Sequence, residues 1–362
     1  MEYYFTVEEP DERQDYNPVA LVVDGKYKGE KVYLVKDHKG EHDKLSEGEI
    51  EFLSDFLERN YPRLPRSKFY KLMEALSGKV PDASIAPIFD EFRKFQSQKP
   101  SVHFKNSKLC VIPNIKEREI IYMASKSGSG KTTWISNYIK IWKKIYRGSP
   151  IWLISTKPLS EEPVFEGLGI IQLDISVANL QKIIGINKPL NSNGKPKRRT
   201  KAEMEAERNE LEANDKPNME HTDLADVEDS IAYRNFISED TGRSLVIFDD
   251  IDGLMKSQSD MIYTIMKSIG ELGRRKNIDM IVCRHNFADG HRTKSIINEA
   301  QRFVIFPSGL SKDSLKYMTN VKLDIPKATI DDIFRLQGRY SWACIQTIFP
   351  KYYVTENSVT MI

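Results

Sequence analysis

The 362-residue chain is poor in the features that mark secreted, metal-stapled or membrane-spanning proteins. It has only three cysteines, Cys110, Cys283 and Cys344. That number is odd and contains no CxxC spacing, which argues against a disulfide framework or a zinc site and fits a reducing compartment. No apolar run approaches the roughly 18–20 residues of a membrane span, and the acidic start from Met1 to Asp11 does not read as a signal peptide. There is no overwhelming basic excess of the histone kind, since 54 basic residues face 52 acidic ones. With 40% hydrophobic and 29% charged residues, the chain is neither a membrane protein nor wholly disordered. On length alone it can hold two domains.

The charge is uneven. Residues 1–60 carry 16 acidic and 8 basic side chains, a net of −8, so with +2 overall the remainder holds +10. Such asymmetry points to a polyanion partner for the larger part, through a local, salt-sensitive surface. The first 105 residues read as a small α+β accessory or docking unit. In it Ala20–Val23 and Lys31–Val35 flank Asp24-Gly25 as a hairpin. Ile50, Phe52, Leu53, Phe56 and Leu57 then recur at helical spacing, and Phe69, Leu72, Met73 and Leu76 begin another helix. A polar stretch, Gln96–Asn106, reads as a linker.

From residue 106 onward the texture is α/β. Apolar runs at Ile120–Ala124, Ile151–Ile154, Leu245–Phe248, Met280–Cys283 and Phe303–Phe306 alternate with helical segments, which predicts a mostly parallel sheet with helices on both faces. A charged insertion at about 187–232, including Lys195–Lys201, reads as a solvated excursion or a DNA phosphate contact. Trp342–Ile348 and Tyr352–Ile362 read as a terminal hairpin with Pro350 in its turn.

The strongest signal is Ser125-Lys126-Ser127-Gly128-Ser129-Gly130-Lys131-Thr132-Thr133, between a strand and an amphipathic helix. This is a nucleotide-binding P-loop (Walker A) pattern, with Ser127 to Thr133 as the binding residues. Gly128 and Gly130 permit a backbone curl whose N–H groups converge on phosphate oxygens. Lys131 can reach the β- and γ-phosphates of ATP, and the Thr132 hydroxyl can ligate Mg²⁺. The first glycine of the pattern is replaced by Ser125. A hundred or so residues on, Leu245–Phe248 ends in Asp249 and Asp250. At the C-terminal end of a buried strand, Asp249 is placed to hold the metal and Asp250 to polarise the attacking water. Asp279–Cys283 ends in Arg284-His285-Asn286, where His285 or Asn286 could orient that water.

Three stretches, Ser127–Thr133, Val246–Asp250 and Gly273–His285, resemble the FtsK–HerA superfamily of DNA-pumping ATPases, and within it the poxvirus-type packaging ATPases of large DNA viruses. His285 stands where many members carry glutamine, and His285–Pro307 is similar to the packaging subgroup. The resemblance spans about Glu119–Pro307. It implies a RecA-like (ASCE) P-loop core and a homo-oligomeric ring, pentamer or hexamer, that couples ATP hydrolysis to translocation of double-stranded DNA. It also implies an arginine finger from a neighbouring subunit, with Arg274 first and Arg292 and Arg302 after it. Lys126 compares with a basic P-loop residue that reports on the γ-phosphate in some viral motors, although a solvent-pointing lysine reads equally well. A capsid or portal protein is an expected partner of the acidic N-terminal unit, in the virion or the host cytoplasm. Two other readings stay open: a helicase-like or terminase-like ATPase, and a non-motor regulatory ATPase. Against a GTPase, Ser155-Thr156-Lys157-Pro158 lacks the aspartate of an Asn-Lys-x-Asp element.

Overall fold

A computed structural model describes residues 3–12, 14–36, 53–54, 56–58, 60–76, 81–97, 101–185, 232–285, 291–309, 325–336 and 338–362. The expected insertion at about 187–232, apart from Ala232, and Asn286 lie outside the described residues. The chain forms two compact units, one of residues 1–145 with 301–362 and one of residues 146–300.

The first unit holds two sheets. The smaller has the order β1-β3-β2-β5, from β1 (Tyr3–Thr6), β2 (Tyr16–Asp24), β3 (Lys31–Lys36) and β5 (Lys108–Val111), all antiparallel. The predicted hairpin is therefore present, and the sheet takes its edge strand from beyond residue 105. Gly25, at φ 91, makes the turn that only glycine enters freely. Of the first helical pattern Ile50 and Phe52 lie outside the described residues, while Leu53, Phe56 and Leu57 pack with Leu72, Ala75, Ile85, Ile88 and Phe92. The second pattern lies on the helix Arg66–Leu76, and Ala86–Ser97 is a further helix.

The larger array of this unit has the order β4-β14-β13-β12-β11-β6. It contains β4 (Ser101–His103), β6 (Ile120–Ala124), β11 (Arg302–Ile305), β12 (Ala343–Gln346), β13 (Tyr352–Thr355) and β14 (Ser358–Met361). β6 and β11 are parallel, and the rest run antiparallel. Two expectations are corrected here. Gln96–Asn106 is not wholly linker, because Ser101–His103 pairs with the edge of β14. The terminal hairpin is a three-stranded meander: the Thr355 hydroxyl accepts from the Asn357 and Ser358 amides and turns the chain once more within Tyr352–Ile362.

Arg302 is also corrected. Its guanidinium is buried 3.1 Å from Glu119 Oε2 and donates to the Ile112 carbonyl at 2.7 Å and to Gln346 Oε1 at 3.0 Å. Tyr138 donates to the other Glu119 oxygen. A side chain so committed within its own fold is structural and cannot reach a neighbour. Arg302→Met should destabilise the protein by about 3–5 kcal/mol in denaturant melts, because it strands a buried carboxylate. The double substitution with Glu119→Gln should recover part of that loss.

The second unit is a four-stranded parallel sheet of order β10-β9-β7-β8, from β7 (Ile151–Ser155), β8 (Ile170–Gln172), β9 (Ser244–Asp249) and β10 (Ile278–Arg284). All six residues of β9 are buried, as expected of a strand covered on both faces. The helix Lys256–Leu272 buries Met261, Ile262, Ile265, Met266 and Ile269 on one face. Arg243 forms a two-pronged pair with Asp279, at 2.8 and 2.9 Å, near the N-terminal ends of β9 and β10. Parallel pairing brings the C-terminal ends of β7, β9 and β10 to one edge, where the acids and the histidine lie. The α/β expectation is met, with parallel strands around the motifs and an antiparallel extension in the tail.

Candidate active site

The P-loop belongs to the first unit. β6 is buried throughout and delivers the chain into Ser125–Gly130, and the helix Lys131–Ile145 begins as Trp134 N–H donates to the Gly130 carbonyl at 3.0 Å. Gly128 and Gly130 have φ of 75° and 102°, a region that side-chain-bearing residues seldom adopt. The motif's glycines are thus explained by the backbone curl. Lys131 folds over its own loop, nearly buried, with Nζ donating to the Ser125 carbonyl at 2.5 Å and the Lys126 carbonyl at 3.1 Å. Thr132 is half-buried, whereas Lys126, Ser127 and Thr133 are exposed.

Ser125 needs no left-handed backbone: among the described residues only Asn106, Asp250 and Asn277 have positive φ without being glycine. What it needs is room, and Gly309 supplies it. A Cβ at Gly309 would fall 2.0 Å from Ser125 Oγ and 3.3 Å from Ser129 Cβ. Gly309, in the short turn Pro307–Gly309 after β11, thus takes over part of the role of the missing loop glycine. Gly309→Ala should cost about 1–3 kcal/mol by overpacking, measured by thermal denaturation, and Ser125→Gly in the same chain should restore much of it.

In the second unit, Asp249 ends β9 and Asp250 follows it in the left-handed region at φ 52. One oxygen of Asp250 lies 3.0 Å from Lys157 Nζ and the other 3.0 Å from His285 Nε2, while Thr156 Oγ1 donates to its carbonyl at 2.7 Å. The His285 amide donates to Asp252 Oδ2 at 2.8 Å, and Arg284 forms an ion pair with the other oxygen of Asp252 at 2.9 Å. The β7, β9 and β10 ends therefore build one network around Asp250. Burial pushes the Asp250 carboxyl up, but hydrogen bonds from His285 and Lys157, with their charges, outweigh it and hold the group below its ordinary value. The hydrogen bond to Asp250 raises Lys157 in turn, against the opposing pull of burial, with help from the charges of Glu162 and Asp249.

The structure places Asp250 and His285 side by side at the ends of β9 and β10. Lys157 was missed as a site residue; its signal was Thr156-Lys157 directly after an apolar strand. Arg339 and Tyr340 lie beside the P-loop glycines. Arg274 is exposed in the turn Gly273–Lys276 before β10. Seven residues of strand, roughly 23 Å, separate it from His285 at the other end. It therefore takes no part in the network around Asp250 of its own chain. The side chain of Arg292 lies outside the described residues.

Thr132 in the first unit and Asp249 in the second each carry an oxygen of the hard kind that suits Mg²⁺. Among the described residues no group of three or more His, Cys, Asp or Glu side chains is placed to hold a metal ion.

No known family profile matches the chain. It is 26% identical over 253 residues to the uncharacterized protein V3 of Sputnik virophage, covering 69% of this chain and 80% of V3. Among solved structures, it is similar to the genome packaging NTPase B204 of Sulfolobus turreted icosahedral virus 2 in complex with AMPPCP. That likeness has TM-score 0.36 and 9% identity, over 66% of this chain and 97% of B204. The pCW3 conjugation coupling protein TcpA gives TM-score 0.39 and 12% identity, over 94% of this chain and 77% of TcpA. At such scores neither likeness identifies an activity. Among the described residues no helix is long and apolar enough to cross a membrane.

Proposed function

We propose that this chain is a P-loop ATPase of the FtsK–HerA type that hydrolyses ATP with Mg²⁺ and drives double-stranded DNA into a viral capsid. The observation that carries the reading is the P-loop itself: two glycines at positive φ, and Lys131 with its ammonium laid on the carbonyls of the loop. A lysine in that position can exchange those carbonyls for phosphate oxygens, a stronger charge-assisted contact. In this reading the N–H groups of Ser127–Thr133 receive the phosphates, and Lys131 neutralises charge on the β- and γ-phosphates. Thr132 and Asp249 would hold the metal, which would screen the phosphate charge. Asp250 accepts a proton from the attacking water, and His285 fixes the orientation of its carboxylate.

Arg274 is the proposed finger of a neighbouring subunit in a five- or six-membered ring; its exposure leaves it available for that role. Lys126, exposed on the loop, is the proposed reporter of the γ-phosphate. The acidic residues 1–60 suit docking of the N-terminal unit, residues 1–105, onto a basic capsid or portal protein. The virophage relative favours a viral setting, in the virion or the host cytoplasm.

The test is displacement of a triplex-forming strand from long duplex DNA. A translocase strips it in the presence of Mg-ATP, and the Lys131→Ala protein does not. ATP consumption without displacement, in the assembled protein, would contradict translocation.

A further inference from the structure

We infer that the tail segment Gly338–Trp342 is the nucleoside clasp of the P-loop site, with Tyr340 receiving the base and Arg339 the phosphates of ATP. The inference rests on the nucleotide reading above and names which residues outside the P-loop hold the ligand.

A pocket of about 360 Å³ opens beside the loop. Gly130 and Thr133 line it from the P-loop, Tyr340 and Trp342 from the tail, and Asn137 and Glu356 add polar groups. Its volume lies within the range of small-ligand sites. Because Gly130 and Thr133 belong to both the phosphate loop and the pocket, a nucleotide with its phosphates on the loop has this pocket as the adjoining space for its ribose and base.

The tail segment is fastened at both ends and free in the middle. Ser308 Oγ donates to the Arg339 carbonyl at 2.7 Å, and Trp342 is buried edge-on against Trp134, with ring centres 6.1 Å apart. Between these anchors Tyr340 remains 56% exposed, a large aromatic surface left to water. Its ring lies across the end of the loop: a Cβ built on Gly130 would meet Tyr340 Cδ1 at 3.4 Å. Arg339 Nη2 would stand 4.0 Å from a Cβ on Gly128, and its guanidinium lies 5.5 Å from the Tyr340 ring centre. A permanent cation at the loop and a largely exposed aromatic ring beside it match the two chemically distinct ends of a nucleoside triphosphate.

Equilibrium binding of ATP and of inorganic tripolyphosphate to the full chain separates the two ends. Tyr340→Ala should weaken ATP by about 5- to 150-fold, the usual effect of losing one base–aromatic stack, and leave tripolyphosphate unchanged. Tyr340→Phe should bind ATP like the parent protein. Arg339→Ala should weaken ATP and tripolyphosphate alike. Unchanged ATP affinity in Tyr340→Ala, or an equal loss of both ligands, would overturn the clasp while leaving the P-loop site intact. A parent protein that bound neither ligand would overturn the nucleotide reading itself, and the clasp with it.

Discussion

Lys131→Ala should lower the rate of ATP hydrolysis by at least about 10²–10³-fold, the usual loss when a fixed positive group facing developing phosphate charge is removed. The fold should survive, because the Lys131 ammonium donates to the Ser125 and Lys126 carbonyls of its own loop. The curl itself is set by Gly128 and Gly130, which the substitution leaves alone. Lys131→Arg should fail almost as badly. The Nζ sits within 2.5 and 3.1 Å of two carbonyls in a nearly buried position, and a planar guanidinium cannot occupy that space without displacing the loop. Steady-state hydrolysis beside a thermal melt checks both statements. Lost activity with an unchanged melting temperature is the expected pair of results.

The second large effect belongs to Asp250. Asp250→Asn should reduce kcat by about 10²–10⁴-fold, the range for removing a general base, and leave ATP affinity nearly unchanged. The separation of rate from affinity follows from the placement of Asp250 after β9, held by Lys157 and His285 rather than by any P-loop residue. The charge state sets the pH behaviour. With its carboxyl held below the ordinary value of about 4, Asp250 is ionised throughout the neutral range, so its titration adds no acid limb to the rate above pH about 4. The same depression contributes stability that is present above the unfolded value and lost as pH falls through the folded one. Lys157 runs the opposite way. Its folded value is raised, so its contribution is full below the ordinary lysine value and fades only as pH rises through the folded one. Lys157→Met should therefore move the acid limb of hydrolysis upward, and a pH–rate profile reads that shift directly.

Much of this was legible in the sequence, for stated physical reasons. β6, β9 and β10 are buried along nearly their whole length, so they had to be written as unbroken apolar runs, and such runs are conspicuous. The P-loop was legible because its backbone demands glycine at 128 and 130, and the acids were legible because they follow directly on β9. What escaped was whatever depended on approach between segments distant in the chain. Gly309 lies 184 positions after Ser125, and nothing in either local pattern announces that one makes room for the other. Arg302 stood among the arginine-finger candidates because its partner Glu119 is brought to it only by the pairing of β11 with β6. The second reversal at Glu356-Asn357 was missed because its signal, a threonine hydroxyl capping two amides, sits inside an otherwise strand-like run. Tyr340 lies 210 positions after Gly130, and only the fold brings its ring to the loop.

The most direct test of the account is hydrolysis of Mg-ATP by the purified chain, with and without long double-stranded DNA, across a salt series. The account predicts a basal rate that DNA raises, with stimulation that fades as salt releases the phosphate contacts and vanishes in Lys131→Ala. Hydrolysis indifferent to DNA at every salt concentration would contradict the DNA-motor reading, and no hydrolysis by the parent chain under any of these conditions would contradict the ATPase itself.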